Sequence, residues 1–80
     1  MNEELTIGNI YKALENLGYS SEETAYGCDL IKKYIKKETN LADDKVGKVF
    51  NYCWEQGHSV GLYEVFSYTI EICDLLQGVL

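Results

Sequence analysis

Three cysteines, Cys28, Cys53 and Cys73, and a single histidine, His58, are the side chains best suited to metal binding or nucleophilic chemistry. Structural zinc sites normally bring ligands in close pairs such as C-x2-C, so that neighbouring residues reach one ion. Here the cysteines stand 25 and 20 residues apart, and no pair is local. Each falls at an apolar position of a helical pattern, where cysteine behaves as a small hydrophobe. A Cys–His couple needs the base within reach of the thiol, and the one histidine falls in a predicted turn. No phosphate loop and no nucleophile with a base at readable spacing occur, so the expectation is no enzyme, no metal and no cofactor.

The string Gln56-Gly57-His58-Ser59-Val60 resembles the Gly-Gly-His-Ser core of peptidyl carrier domains, whose serine carries a phosphopantetheine arm at a helix start. Gln56 stands where that family has its first glycine, and only one predicted helix follows Ser59. The same G-x-S turn recurs at Gly18-Tyr19-Ser20. Glycine suits the end of one helix and serine the start of the next, so Ser59 is read as an N-cap.

Two charged surfaces remain. Lys32, Lys33, Lys36 and Lys37, extended by Lys45 and Lys48, form the one basic stripe. It could contact nucleic-acid phosphates, but with no arginine and a net charge of −6 the preferred reading is a solvated helix face whose lysine stems shield the apolar side. The second surface lies on the last helix, where Glu64, Ser67, Glu71 and Asp74 share an outward face and no lysine follows Lys48. Tyr63 and Ile70 border it on one side, Tyr68 and Leu75 on the other. An acidic centre with aromatic borders suits a protein partner with a basic patch. The same borders would be core if helices 1 and 3 covered both flanks of the last helix.

The elements that position these residues read as four helices. Ile7, Ile10, Leu14 and Leu17 give helix 1 over about 3–17, with Glu3 and Glu4 at its positive end and Gly18 as a left-handed C′ residue. Ser20 and Glu23 form an S-x-x-E capping box opening helix 2. Its apolar arc is Gly27, Cys28, Leu30, Ile31, Tyr34 and Ile35, with the lysines opposite. Asn40 is the expected N-cap of helix 3, whose stripe is Val46, Val49, Phe50 and Cys53 with Trp54 at the edge and Gly57 at the end. Helix 4 is expected from Ser59 to about Gln77, burying Leu62, Val65, Phe66, Thr69, Cys73 and Leu76. A weak internal repeat at an offset of 39 pairs Ile7-Gly8-Asn9-Ile10-Tyr11, Leu14, Gly18 and Ser20 with Val46-Gly47-Lys48-Val49-Phe50, Cys53, Gly57 and Ser59. The predicted fold is therefore all-α, a small four-helix bundle of two helical hairpins. Two copies are too few for a solenoid, so either the bundle closes on itself or a homodimer completes the stack.

Composition sets the outer bounds. Eighty residues with 46% hydrophobic content make one domain over 1–80, and the absence of proline favours long helices. All seven basic residues are lysine and the net charge is −6, which disfavours nucleic acid and anionic membranes as partners. Charge is segregated: 1–29 holds one Lys against six acids, 30–48 six Lys against three, and 49–80 four acids and no Lys. No apolar run approaches the ~18 residues of a membrane span, and an odd number of cysteines with no signal-like start suggests a reducing cytoplasm. The expected function is a non-enzymatic, acidic protein-binding module with no small-molecule substrate. Its contact residues would be Glu64, Glu71, Asp74, Tyr63 and Tyr68. Phage-encoded inhibitors that occupy the nucleic-acid channel of a host enzyme are similar in size and charge, and imply occlusion of a basic surface. The alternative is a nucleic-acid-associated helical protein using the lysine stripe.

Overall fold

Helix boundaries in this chain are set by where orphaned backbone N–H groups find acceptors. The computed structural model describes residues 5–79, which form four helices and no strand: α1 (Ile7–Glu15), α2 (Ser21–Thr39), α3 (Asp43–Gly57) and α4 (Leu62–Val79). The Thr6 hydroxyl accepts from Asn9 N–H at 3.1 Å and caps α1. Glu3 and Glu4, expected in its first turn, lie outside the described residues. Asn16 ends the helix in a right-handed conformation, its N–H shared between carbonyls of the last turn. Gly18 is thus not a left-handed C′ residue, contrary to expectation. Its role is steric: the Glu23 carboxylate folds over it, and a Cβ there would lie 2.8 Å from Oε1.

The capping box of α2 is present and extended. Glu23 N–H donates to Ser20 Oγ at 3.2 Å, and the Ser20 hydroxyl donates to Glu23 Oε1 at 2.8 Å. Glu23 Oε2 accepts from Gly18 N–H at 2.7 Å. One carboxylate therefore ties the α1–α2 loop to the helix it caps. The Gly18 backbone donor, then the Ser20 hydroxyl, hold the Glu23 carboxyl below the usual glutamate range.

Two further boundaries differ from the sequence reading. Asn40 does not cap α3; it is the left-handed C-cap of α2 (φ 55°), donating its N–H to Lys36 O at 2.8 Å. Asparagine suits both roles because its short polar side chain tolerates the left-handed region. Ala42 occupies the N-cap of α3 without a side-chain bond. Ser59 likewise caps nothing: it sits in the turn at 58–60, and α4 starts at Leu62 after Gly61, whose carbonyl accepts from Glu64 and Val65. The G-x-S strings at Gly18 and Gly57 thus have different structural roles, and the 39-residue repeat does not extend to its turns.

Helix α4 packs against each of the other three helices, most extensively α3 and then α2, whereas α1 and α3 do not pack together. Phe66 is fully buried at the centre, edge-on to Tyr34 (5.1 Å) and to Tyr11 (4.9 Å). Ile31, Ile35, Cys53, Val65 and Cys73 close around it. The buried Thr69 hydroxyl donates to Val65 O at 2.8 Å, so no polar atom is stranded there. The expected faces hold in their central turns and loosen at their ends. Leu62 and Leu76 of α4 and Cys28 and Leu30 of α2 are half-buried, and Ile7 of α1 is exposed.

The α3–α4 crossing depends on Gly57. A Cβ at this position would lie 2.7 Å from Val65 N and 2.8 Å from the Glu64 carbonyl carbon, both backbone atoms that cannot rotate aside. Gly47, on the same helix, has nothing within 4 Å of its would-be Cβ. Gly57→Ala should therefore destabilise by about 1–3 kcal/mol through overpacking, while Gly47→Ala should stabilise by about 0.5–1 kcal/mol through helix propensity. Chemical denaturation of the two variants measures both. A second forecast concerns Glu23. Because its folded pKa is depressed, its stabilising contribution is complete above the ordinary glutamate range and is lost as pH falls through the lowered value. The melting-temperature gap between wild type and Glu23→Gln should be full above about pH 5 and close progressively in more acidic buffer.

Candidate functional site

Along the outer surface of α4, side chains four and three positions apart form two rows. One is Glu64, Tyr68, Glu71 and Leu75; the other is Tyr63, Ser67, Glu71 and Asp74. Glu71, Asp74 and Leu75 are exposed, Leu75 at 67%, while Glu64 and Ser67 are half-buried. The two tyrosines differ. Tyr63 keeps 51% of its surface in solvent and rests against Tyr11 of α1, ring centroids 4.6 Å apart. Tyr68, with Ile70, packs partly against the core. Ser67 Oγ donates to Tyr63 O at 3.2 Å and lies 2.8 Å from the Tyr11 hydroxyl, which fixes the α1 side of this surface. Among the described residues, none of Glu64, Glu71 and Asp74 pairs with a lysine.

The lysine stripe is exposed, as expected, but most of its ammonium groups have partners within the chain. Lys33 pairs with Asp29 at 3.0 Å, and Lys36 donates to Leu41 O at 2.6 Å with Asp43 at 3.9 Å. Lys37 donates to Leu5 O at 3.2 Å, and Lys32 sits 5.0 Å from the centroid of Phe50. These lysines stitch α2 to the segments before α1 and α3 and shield Phe50. Each exposed contact is individually weak.

The chemistry-bearing side chains stay apart. Among the described residues, no group of three or more His, Cys, Asp or Glu side chains could hold a metal ion. No helix there is long and apolar enough to cross a membrane. Cys53 and Cys73 are buried and Cys28 is half-buried, all as free thiols. Burial pushes the Cys28 and Cys53 thiols up, and Cys73 up to about 12, with Cys53, Glu38 and Asp74 adding to the last shift. These are the surroundings of inert, packed cysteines.

The structure joins residues that the sequence pattern treats separately. Phe50, Trp54 and His58, spaced i, i+4 and i+8, form a continuous run of rings along α3. Phe50 and Trp54 centroids are 6.1 Å apart, and His58 stacks on Trp54 at 5.2 Å and 8°. The run ends in an open groove of about 500 Å³ between the α1–α2 loop and the α3–α4 turn. Leu14, Leu17 and Leu62 line it and pack over the buried Gly27 of α2, where a Cβ would lie 2.9 Å from Leu17 Cδ1. At its lip Tyr19 is fully exposed and Val60 is 76% exposed. The spacing of the rings was visible in the sequence; the groove was not, because it joins two distant turns.

Compared with known protein families, curated proteins and solved structures, the chain matches none.

The thiol environments generate a direct test. Cys53→Ala and Cys73→Ala should each lower stability by about 1–2 kcal/mol, as removal of a small buried side chain does, and Cys28→Ala by less. Under native conditions iodoacetamide should label Cys28 before the other two, with mass spectrometry locating the adduct.

Proposed function

We propose that this chain is a non-enzymatic protein-binding module that lays the outer surface of α4 on a basic surface of a protein partner and occludes it. The observation behind this reading is the exposed pair Glu71 and Asp74, without lysine partners among the described residues, on a stretch that carries no cation after Lys48. Such a face is most favourably covered by opposite charge. It also repels competing acidic surfaces, so it gives selectivity as well as attraction. Surfaces that bind nucleic-acid phosphates present the required basic field. A protein with such a surface is the class of partner proposed, and blocking that surface is the proposed effect.

Tyr63 is the aromatic anchor of this reading. Half exposed and braced by Tyr11, it offers area at little cost in side-chain entropy. Tyr68 contributes through its exposed edge while holding its place against the core. Glu64, Glu71 and Asp74 act on encounter, which depends on long-range charge.

The test joins capture to stability. A partner captured by the wild-type protein should be lost, or its association rate cut steeply, with the Glu64→Lys, Glu71→Lys, Asp74→Lys triple variant. The wild-type rate should also fall as salt rises. Tyr63→Ala should speed dissociation by an amount worth about 1–2 kcal/mol or more. Melting temperatures of the same variants establish that the fold is retained. Undiminished binding by a folded triple variant overturns the proposal.

A further inference from the structure

The groove at the α1–α2 and α3–α4 end is chemically distinct from the outer face of α4. Its floor is aliphatic, its wall is the Trp54–His58 stack, and Glu15 lines it. The Glu23 carboxylate accepts from the N–H of Gly18, another lining residue. No lysine lines the groove. His58 Nδ1 lies 2.8 Å from Trp54 O, and since a carbonyl only accepts, Nδ1 carries the hydrogen.

We propose that this groove binds an arginine side chain from a basic peptide segment of another protein. The guanidinium plane lies on the open face of His58, extending the Phe50–Trp54–His58 run, and donates to the Glu15 carboxylate. An apolar neighbour of that arginine rests on Leu17, Val60 and Leu62. Charge complementarity selects a cation, because the Glu15 carboxylate lines the groove and no lysine does. The ring stack selects a planar one, because guanidinium lies flat on aromatic faces where ammonium remains a hydrated point charge. Lys32 already occupies the opposite end of the run at Phe50, which leaves the His58 end for the incoming group. A second copy of this chain cannot supply the ligand, since the sequence contains no arginine. A groove of about 500 Å³ admits one or two side chains rather than a domain. The inference rests on the protein-binding reading only for the existence of a basic partner, and of the residues named for the α4 surface it shares only Tyr63, which also lines the groove.

Trp54 is the one tryptophan and stands in the groove wall, so its emission reports occupancy directly. The probes are amidated six-residue peptides alternating leucine with arginine, with lysine, or with glutamate. The arginine peptide should change Trp54 emission saturably and shift the amide resonances of Gly18, Tyr19 and 58–61. The lysine peptide should bind several-fold more weakly, and the glutamate peptide should give no response. Glu15→Lys and Val60→Lys, both at exposed positions, should weaken the arginine peptide by about tenfold or more with unchanged circular dichroism. Glu71→Lys combined with Asp74→Lys should leave its affinity within about twofold, because both residues lie beyond a screening length at high salt. Equal binding of the lysine peptide, no saturable response, or resonance shifts centred on 71–79 would overturn the inference. Loss of a captured partner through the α4 variant alone, with the groove silent, would sink the groove and spare the α4 reading. The reverse pattern would do the opposite.

Discussion

The contact of Gly57 with the backbone of Glu64 and Val65 governs the packing of everything C-terminal to it. At that point α3 ends, the chain turns through 58–61, and α4 returns against the helix it has just left. Backbone-to-backbone approach at the crossing accompanies burial of Val65 and Phe66 in the same core cluster as Cys53. Since α4 packs on all three other helices, as α2 also does, its seat on α3 also bears on where Tyr34 and Tyr11 meet Phe66. A small domain has little apolar area to spare, so one close crossing that lets a long helix use its whole inner face has consequences throughout the core.

Local features of the sequence were legible and tertiary ones were not. The capping box at Ser20 and Glu23 needs only residues three apart, and its bonds form as the pattern implies. The arc of α2 is similarly a matter of period, and Ile31, Tyr34 and Ile35 are buried as that period requires. Asn40 was misplaced because its side chain suits either end of a helix; the direction in which the chain leaves Thr39 decides, and the sequence does not encode that locally. Gly57 and Ser59 look like a stop followed by a cap, but the glycine answers to a neighbouring helix, and the turn runs two residues past the serine. On α4, period identified the outward direction correctly for Glu71 and Asp74. It could not say that Tyr68 and Ile70 would be partly covered while Tyr63 and Leu75 would not, since that depends on which neighbours lie alongside.

Charge and rings divide the surface into chemically distinct regions. Lysine ammonium groups on α2 meet carbonyls, carboxylates and one aromatic face of the same chain while staying exposed. Glu71 and Asp74 have no such partners among the described residues, and the acidic face looks outward. The aromatic run on α3 connects the two regimes: a cation of this chain sits at one end, and an open acidic groove lies at the other.

Helix α1 is the shortest of the four and packs only on α2 and α4. Elements with few tertiary ties open at lower free energy than the molecule as a whole, so amide exchange in α1 should be the least protected of the helices. When α1 lifts away, Tyr63 loses the Tyr11 ring against which it rests, and Ser67 loses its hydroxyl partner. The shape of the α4 surface is therefore tied to a fluctuation one helix away. A ligand gripping Tyr63 in its braced position favours the closed form and slows exchange in a segment it never touches.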